Sequence, residues 1–287
     1  MDNDKIILFD VFGIAFPLAL GKKEKSDTEI IFNLFELVRT YSNLYKTNKV
    51  IFCYDGGYDC RRELYPDYKK NRNHNQNDNI KKRINNLYNV LTNFKKILIH
   101  LGFNCIRFKG FEADDVIGSI VKNNKNNDFI ILANDKDFMQ LISKNVTLVL
   151  DKKSIEMTPE YFRHKYYGMR PSDYKKVLAI SGDRSDNIIG VKNIGESSAI
   201  QYIIRSPKLS DKRKILIQEN SDLINFNLKL VELPFYTTPN LNINDLQFNK
   251  IDKNKMLELF IDIGLYEYII EDTLSPLWEN FLNNNFE

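Results

Sequence analysis

Short apolar runs alternate with amphipathic segments along the first half of the chain. Five runs rich in Val, Ile, Leu and Phe have the length and composition of strands buried on both faces, at residues 5–9, 49–54, 103–108, 128–134 and 146–150. Segments with helical spacing lie between these runs, at about 28–45, 80–100, 112–123 and 137–143. This alternation predicts an α/β fold with a mostly parallel sheet and crossover helices.

The pattern changes near Thr158, after which the strand-like runs give way to helical segments separated by Gly and Pro. We therefore expect two closely joined parts. The first is an α/β core over residues 1–165, and the second is a helical region over residues 166–287.

Composition places the chain among globular proteins, because 43% hydrophobic and 12% aromatic residues are enough to fill a core. No apolar run approaches the ~18 residues of a membrane span, and the N-terminus is too acidic and too briefly apolar for a signal peptide. The cysteines Cys53, Cys60 and Cys105 form no CxxC pair, which favours reduced thiols over a disulfide or a zinc site. We expect a cytoplasmic protein that does not associate with membranes.

The near-neutral overall charge of +3 hides a basic segment at residues 61–83, where eight basic and three acidic residues give a local charge of +5. A solvated charged loop is one interpretation of such a run. Tyr65 and Tyr68 lie among the cations and favour a nucleic acid instead, because cations meet phosphates while aromatic rings stack on bases. The segment is also rich in Asn, and we expect it to be flexible without DNA.

Acidic residues follow each of the first four predicted strands: Asp10, Asp55, Glu112, Asp114, Asp115, Asp135 and Asp137. In an open α/β sheet the ligand site lies beyond the carboxyl ends of the strands, so these side chains are expected to converge. Asp183 and Asp186 follow a helix of the second half, and their i, i+3 spacing places them on one helical face. From there both residues can reach the same place.

Each acid alone fits a helix N-cap or a strand end. The set does not, because carboxylates within ~4 to 6 Å of each other repel unless a cation compensates. Oxygen ligands suit Mg²⁺, and the three scattered histidines argue against zinc. Two such ions about 4 Å apart would promote in-line displacement at phosphorus, with Lys69 and Arg72 stabilising the charge on the phosphoryl group.

Four ordered blocks of sequence resemble the 5′-nuclease superfamily: "RRELYPDYKKNR", "FEADDVIGSI", "NDKDFMQLI" and "GDRSDNIIGVKNIGESSA". This superfamily includes flap endonucleases, the 5′→3′ exonuclease domain of bacterial DNA polymerase I, and stand-alone phage enzymes of the ribonuclease H type that remove RNA primers. The resemblance runs from about Lys5 to Tyr268. It implies a PIN-like twisted sheet, an arch over residues 56–83, and a helix-hairpin-helix, a variant of the helix-turn-helix, over residues 178–206.

The resemblance also implies roles for individual residues. The catalytic residues would be Lys69, Arg72, Asp10 and Asp114. The metal ligands implied by the matching blocks are Glu112, Asp114, Asp115, Asp135, Asp137, Asp183 and Asp186, and the acids at the ends of the first two strands add Asp10 and Asp55. DNA would be bound by Arg62, Tyr68 (as a stacking platform), Lys70 and Lys81, and by the hairpin residues Gly190, Val191, Lys192, Ile194 and Gly195.

The implied activity is cleavage of 5′ flaps and RNA primers, as exonuclease and flap endonuclease, in DNA replication and repair. Two Mg²⁺ ions, replaceable by Mn²⁺, and a K⁺ ion at the hairpin are the implied cofactors. The implied partners are DNA with a 5′ flap or a nick, RNA–DNA hybrids and replication proteins such as a clamp, a polymerase or a single-strand binding protein. The implied state is a monomer at the nucleoid or in a phage replication complex.

Two features depart from the family pattern. The residues after Asp10 read "VFGIAFP", with no basic residue before Lys22, where the family usually has Gly and a nearby Arg. The chain also shows no polymerase domain, which suggests a free-standing enzyme. Two alternative hypotheses stay open: a catalytically silent protein that binds DNA junctions, and an RNA-processing nuclease of the PIN type. The C-terminal stretch around Trp278 is expected to dock on the body rather than to bind a clamp.

Overall fold

A six-stranded sheet lies at the centre of the computed structural model, which describes residues 5–73, 78–151, 155–249 and 252–265. The strands are β1 (Lys5–Asp10), β2 (Val50–Cys53), β3 (Asn104–Ile106), β4 (Asp128–Ala133), β5 (Val146–Leu150) and β6 (Ile155–Met157). Their spatial order is β3-β2-β1-β4-β5-β6, and all pairs are parallel except β5 with β6. Because the chain order reverses beside β1, a crevice is expected between the ends of β1 and β4.

Helices connect and cover the strands of this sheet. They are α1 (Val11–Leu20), α2 (Asp27–Tyr45), α3 (Asp59–Leu64), α4 (Asp78–His100), α5 (Ala113–Asn123), α6 (Pro159–Lys165), α7 (Tyr174–Ser181), α8 (Glu196–Ile203), α9 (Asp211–Glu219), α10 (Ser221–Val231) and α11 (Lys253–Asp262). Short 3₁₀ helices occupy Lys70–Asn73, Lys136–Leu141, Pro171–Asp173 and Ile243–Asp245. Among the described residues, none of the helices is both long enough and apolar enough to cross a bilayer.

The two faces of the sheet carry two separate hydrophobic cores. Alternate residues of β1 point to opposite sides, with Ile7 and Phe9 packing among α1, α2 and α4. Ile6 and Leu8 pack with α5 and with helices of the second half, including α7 and α10. Because the second core contains residues from both parts of the chain, the helical region is anchored on the sheet that carries the strand-end acids.

The predicted α/β class, the five strands and their mostly parallel arrangement are confirmed. Burial is confirmed for β1, β2, β4 and β5, whereas β3 lies at the edge of the sheet and is half-buried. Several elements were not predicted, and three of those in the α/β core have a clear physical reason. Helix α1 follows β1 directly even though it contains Pro17. Asp10 caps its first turn, and the Gly13 carbonyl, which has no helical donor at Pro17, accepts from the Asn134 side chain at 3.1 Å. The antiparallel strand β6 is too short and too mixed to give a strand pattern. The predicted helix at 137–143 is a 3₁₀ helix that begins at Lys136.

A short hairpin separates the helices α7 and α8 in the second half. Its two-residue strands are β7 (Gly182–Asp183) and β8 (Ile188–Ile189). Gly182 and Gly190 allow the chain to return closely, because a Cβ on Gly182 would lie 2.3 Å from the amide nitrogen of Gly190. The predicted boundary between two parts near residue 165 stays a prediction, and Tyr268 and Trp278 lie outside the described residues.

Asn227 on α10 joins this hairpin to α7. Its side-chain amide donates to the carbonyls of Ala179 at 2.9 Å and Ile189 at 2.8 Å while the residue is buried. Ala179 lies in the last turn of α7, where carbonyls lack intrahelical partners. We predict that Asn227→Leu lowers the free energy of unfolding by about 2 kcal/mol, because two buried carbonyls lose their donor.

Urea titration monitored by circular dichroism measures this effect. The matched control is Asn244→Leu, at an exposed position, which should change the free energy of unfolding by less than about 0.5 kcal/mol. Equal effects of the two substitutions would contradict a bridging role for Asn227.

Candidate functional site

A cavity of about 1960 Å³ opens at the carboxyl ends of β1, β2 and β4. It lies at the position where the reversal of strand order predicts a ligand site. Seven of the nine predicted acids line it: Asp10, Asp55, Glu112, Asp114, Asp135, Asp137 and Asp183. The predicted convergence of side chains from separate strands is therefore present in the structure.

Asp10 is held in place by the first turn of α1. It ends β1, is buried, and its Oδ1 accepts a hydrogen bond from the Gly13 amide at 3.2 Å. A Cβ at Gly13 would lie 1.9 Å from Oδ2 of Asp10. Glycine at this position therefore leaves room for the carboxylate, and the helix N-terminus favours its negative charge.

The N-terminus of α5 contributes the next group of acids. Glu112 is the N-cap of α5 and Asp114 lies in its first turn, so both gain from the helix dipole. Asp55, which follows β2, accepts a hydrogen bond from the Ala113 amide at 2.9 Å. This bond ties the end of β2 to the start of α5 and keeps their carboxylates in one cavity.

The remaining acids come from the 3₁₀ helix after β4 and from the hairpin. Asp135 caps this 3₁₀ helix by accepting from the Asp137 amide at 2.9 Å. Asp183 accepts from the amide and the hydroxyl of Ser185 at 2.6 and 2.7 Å. Asp183 and Asp186 lie in a strand and a turn and not on the predicted helical face, because the chain leaves α7 at Gly182, where φ is +71°. That part of the prediction is wrong.

Two cations of the basic segment reach the carboxylates. Lys69 is 5% exposed and forms ion pairs with Glu112 and, at 3.4 Å, with Asp186. Arg72 pairs with the other oxygen of Asp186 at 2.6 Å. Glu112 and Asp186 belong to distant parts of the chain, so the two cations join the α/β core to the hairpin.

The first part of the basic segment is docked and not free. The Asn71 side chain donates to the Arg184 carbonyl at 2.7 Å, and the Asn187 side chain donates to the Asp67 carbonyl at 2.8 Å. The Tyr65 hydroxyl donates to the Asn187 carbonyl at 3.1 Å. Residues 65–72 therefore contradict the expected flexibility, because the turn at 184–187 satisfies their polar groups. Residues 74–77 of the predicted arch lie outside the described part of the chain.

The pKa values of the cavity acids reflect the crowding of negative charge around them. Burial, and then the charge of Asp55, raises the pKa of Asp10 to about 8. Burial and neighbouring carboxylates also raise the pKa values of Asp114 and Asp137 well above their usual range. Burial acts in the same direction on Asp186, yet Lys69 and Arg72 outweigh it and hold the pKa of that carboxyl below its ordinary value.

Asp115 does not lie in the cavity, and its assignment as a metal ligand is wrong for this arrangement. It is fully buried and forms two hydrogen bonds with the guanidinium of Arg61. It also accepts from the amides of Glu112 at 3.2 Å and Phe235 at 2.9 Å. Asp115 lies one residue after Asp114 on α5 and faces the protein interior, where these donors occupy both of its carboxylate oxygens.

Tyr68 is not a stacking platform, which corrects a second prediction. Its ring is 3% exposed, and its hydroxyl lies 2.7 Å from Glu112 Oε2 and 2.8 Å from Asp186 Oδ2. Arg61 and Lys69 lie within 5.8 and 5.0 Å of its ring centre. The ring is therefore covered by cations, and the residue links two carboxylates inside the protein.

The hairpin loop differs in part from its predicted role in DNA binding. Val191 and Ile194 have buried side chains, and their amides donate within the protein to Ile180 at 2.8 Å and Val191 at 3.0 Å. These two amides are thus not available to phosphates, which corrects their assignment. Lys192 is exposed and Gly195 precedes α8 with open space around it, so for both residues DNA contact stays a prediction. Gly190 has no side chain and therefore lets the second strand of the hairpin return close to Gly182.

The other predicted DNA-binding cations lie at the surface or near it. Lys81 is exposed at the cavity wall, and Lys70 is exposed and pairs with Asp67 at 2.9 Å. Arg62 is half-buried, with its guanidinium 4.4 Å from the ring centre of Tyr58. The structure leaves the phosphate contacts of these three residues as predictions.

Sequence analysis missed Arg61 and the aromatic residues of the cavity. Arg61 is 3% exposed and contacts Asp115, Glu112 at 3.2 Å and the Leu230 carbonyl at 2.9 Å. The charge of a basic run gives no sign of which member is buried. Phe12 and Tyr88 line the cavity, and a signal for Phe12 existed in the apolar residues that follow Asp10.

The donor set suits a hard divalent cation, because it consists of carboxylate oxygens. In the described part of the chain, however, no group of three or more acidic, histidine or cysteine side chains is arranged to hold one metal ion as it stands. Lys69 and Arg72 neutralise Glu112 and Asp186 instead.

Comparison with known proteins gives a consistent picture. A family model described as the 5′-3′ exonuclease, N-terminal resolvase-like domain, matches residues 5–167. DNA polymerase I of Caldicellulosiruptor bescii is 30% identical over 285 residues, which cover 90% of this chain and 32% of that protein. A 5′-3′ exonuclease of Buchnera aphidicola subsp. Schizaphis graminum is 29% identical, with 80% of this chain and 75% of that protein covered. The chain thus spans about a third of the polymerase and three quarters of the exonuclease.

Solved structures share the fold. T5 5′-exonuclease with bound divalent metal ions (zinc) superposes with a TM-score of 0.70 at 19% identity, covering 91% of this chain and 99% of that one. The catalytic core of Rad2 in complex with a DNA substrate superposes with a TM-score of 0.57 at 12% identity, covering 96% and 93%. At such identities the likeness concerns the fold alone, and it confirms the predicted PIN-like sheet followed by a helical region.

The raised pKa of Asp10 predicts how the metal-free protein responds to pH. A carboxyl whose pKa rises from 3.8 in the unfolded chain to about 8 in the folded one favours folding below pH 4. That contribution is lost as the pH rises toward 8. We predict that Asp10→Asn raises the free energy of unfolding at pH 9 by about 1 to 3 kcal/mol and has a smaller effect at pH 5.

Urea titrations of both proteins in EDTA at the two pH values measure this difference. Asp222→Asn, at an exposed position on α10, is the matched control and should show no such pH dependence. Stabilisation by Asp10→Asn that is equal at pH 5 and pH 9 would contradict the burial of a charged carboxylate.

Proposed function

The chain belongs to the 5′-3′ exonuclease family, and we propose that it is a divalent-metal-dependent, structure-specific 5′ nuclease. It hydrolyses phosphodiester bonds at 5′ flaps, at nicks and in RNA primers, both as an exonuclease and as a flap endonuclease. The observation that carries this proposal is one cavity in which seven carboxylates meet the cations Lys69 and Arg72. A cavity lined by this many carboxylates attracts metal ions, whereas its two cations attract phosphate.

The metal-binding part of the proposal rests on the placement of the acids. Asp10, Glu112 and Asp114 would hold one ion, and Asp137, Asp183 and Asp186 would hold the other, while Asp55 and Asp135 would support either site. Mg²⁺ is the ion that suits oxygen donors of this kind, and Mn²⁺ substitutes for it. When bound, two such ions supply a nucleophile at neutral pH and stabilise the leaving oxygen.

The protein's own groups bind and orient the phosphate. Lys69 and Arg72 donate to the non-bridging oxygens of the scissile phosphate and stabilise the charge that develops there. Both cations contact carboxylates that would hold metal ions, Lys69 at Glu112 and Arg72 at Asp186, so they lie where a metal-bound phosphate would enter. The Tyr68 hydroxyl lies within hydrogen-bond distance of both Glu112 and Asp186 and donates its one proton to one of them at a time.

The helical region binds duplex DNA through the backbone in this proposal. Lys192 and the open N-terminus of α8 after Gly195 face phosphates, with K⁺ as a further ligand of the loop. Lys70, Lys81 and Arg62 contact the 5′ single strand. Because phosphate contacts carry no base information, substrate choice follows DNA structure. We propose that the protein acts as a monomer with replication proteins in the cytoplasm.

A substrate panel tests the activity. Duplexes with a 5′ flap, a nick, an RNA primer or a blocked 5′ end are incubated with Mg²⁺, with Mn²⁺ and with EDTA. We expect cleavage to leave a 5′-phosphate, to occur with both metals and to stop in EDTA. Persistent cleavage in the chelator, or cleavage of folded RNA but of none of the DNA substrates, would sink the proposal in favour of a different nuclease. Binding without any cleavage would indicate a junction-binding protein.

Substitution of one acid separates chemistry from binding. Asp137→Asn is expected to lower the cleavage rate by on the order of 10² to 10³, because it removes an acid that holds a metal ion, while flap-DNA affinity changes less than about threefold. The control Asp222→Asn should match the wild type in both measurements. If Asp137→Asn cleaves at the wild-type rate, Asp137 does not hold a metal ion that the reaction needs.

A further inference from the structure

The turn at residues 184–187 and the basic segment are joined by hydrogen bonds that involve the backbone of both. Besides the three side-chain bonds described above, the Lys69 amide donates to the Asp186 carbonyl at 2.9 Å. Nε of Arg72 donates to the Ser185 carbonyl at 3.3 Å. We call this set of bonds the docking contact. Because it fixes main-chain atoms on both sides, it sets the path of each segment as well as the direction of its side chains.

Asn187 lies at the centre of the docking contact. Its side-chain amide donates to the Asp67 carbonyl at 2.8 Å, and its own carbonyl accepts from the Tyr65 hydroxyl at 3.1 Å. The Asp67 carbonyl also accepts from the Lys70 amide at 3.1 Å, so Asn187 binds the turn that contains Lys69. The backbone of Asn187 is left-handed, with φ at +60°, a conformation that Gly, Asn and Asp adopt most easily. Of these three residue types, only asparagine carries a side-chain N–H donor.

Lys69 has a left-handed backbone as well, with φ at +55°. This conformation is unfavourable for a residue with a long side chain and persists where the surroundings determine it. The docking contact determines it here, because the Lys69 amide is bound to the Asp186 carbonyl. From this backbone the buried Lys69 side chain reaches Glu112 and Asp186. The direction of this cation therefore depends on the docking contact.

The docking contact also fixes Arg72 and one of the proposed metal ligands. The guanidinium of Arg72 lies 2.6 Å from the Asp186 carboxylate, and Asp186 directly precedes Asn187 in the chain. The cations proposed to bind phosphate and an acid proposed to bind a metal ion therefore belong to one hydrogen-bonded unit. A displacement of about 1 Å within such a unit can lower a reaction rate by on the order of 10². Asn187 lines the cavity, but its side-chain amide donates to the Asp67 carbonyl, which indicates a role exerted through other residues.

We propose that Asn187 is a positioning residue, which holds Lys69 and Arg72 at a fixed place relative to the turn for the cleavage step. This proposal rests on the nuclease function and adds a residue to its machinery. The effect is expected in the rate of the bound complex, because the groups that Asn187 positions act on the scissile phosphate. Affinity for DNA is expected to change little, because it depends on contacts spread over many phosphates.

Hydrogen exchange measured by mass spectrometry tests the docking contact without metal ions or DNA. Asn187→Gly removes the amide side chain but keeps the left-handed backbone accessible. In EDTA we expect peptides covering residues 65–73 to exchange about fivefold faster in this variant, because one hydrogen bond to the segment is lost. Peptides of β1 and β4 should exchange as in the wild type, which separates a local effect from a loss of global stability.

Lys46→Gly is the matched control. Lys46 is exposed and also has a left-handed backbone, with φ at +54°, where α2 ends. It precedes β2 and therefore lies at the amino ends of the parallel strands, opposite to the acids. This variant makes the same change from a left-handed residue to glycine. It should match the wild type in the exchange of residues 65–73 and in cleavage.

Steady-state cleavage of a 5′-flap duplex in Mg²⁺ tests the positioning role. We expect Asn187→Gly to lower kcat by on the order of ten- to a hundredfold and to change KM by less than about threefold. In an Arg72→Ala background the same substitution should lower kcat by a smaller factor, because one of the positioned cations is already absent. An equal factor in both backgrounds would overturn the proposal. A raised KM with unchanged kcat would also overturn it, because Asn187 would then contact DNA directly.

The positioning role and the nuclease function fail in different ways. If no substrate is cleaved in Mg²⁺ while exchange of residues 65–73 still depends on Asn187, the nuclease function is wrong and only the docking contact remains. If flaps are cleaved and Asn187→Gly has the wild-type kcat, the nuclease function holds and the positioning role is wrong. A lower kcat with unchanged exchange would also exclude this role, since Asn187 would then act without the docking contact. Faster exchange together with a lower kcat supports both proposals.

Discussion

Repulsion among carboxylates is the constraint on which the rest of this structure depends. Seven acids line one cavity, and such a group is unstable unless opposite charge or oriented dipoles offset it. The fold supplies the dipoles at the N-termini of α1 and α5, where Asp10 and Glu112 lie. It supplies the charge through Lys69 and Arg72. Burial and the repulsion that remains raise the pKa values of Asp10, Asp114 and Asp137.

The cations also hold the two parts of the chain together. Lys69 connects Glu112 at the start of α5 with Asp186 after the hairpin. Behind them, Arg61 connects Asp115 of α5 with the Leu230 carbonyl of α10. A buried ion pair offers little net stability compared with an apolar pair, but loss of one partner is costly. The arrangement therefore fixes geometry more than it adds stability, and it makes the position of the acids depend on the basic segment.

The sequence was sufficient to predict the sheet, because buried parallel strands leave continuous apolar runs such as those of β1 and β4. It also predicted which acids meet, because strand ends share one edge of a sheet. It did not separate Asp114 from Asp115, since adjacent helical residues differ by a rotation of about 100° and only tertiary packing decides which one faces Arg61. Tyr68 was misassigned for a similar reason. An aromatic residue among cations fits both a surface that binds bases and a core that those cations cover.

In the proposed function, the cavity and the helical region would divide the work of recognition. The acids and cations of the cavity would bind metal ions and phosphate, and phosphate carries no information about the base. Under the proposed function, position along the DNA would come from a duplex held by the helical region. Because that region shares a hydrophobic core with the sheet, packing fixes its distance from the acids, and this distance would set where a bound duplex is cut.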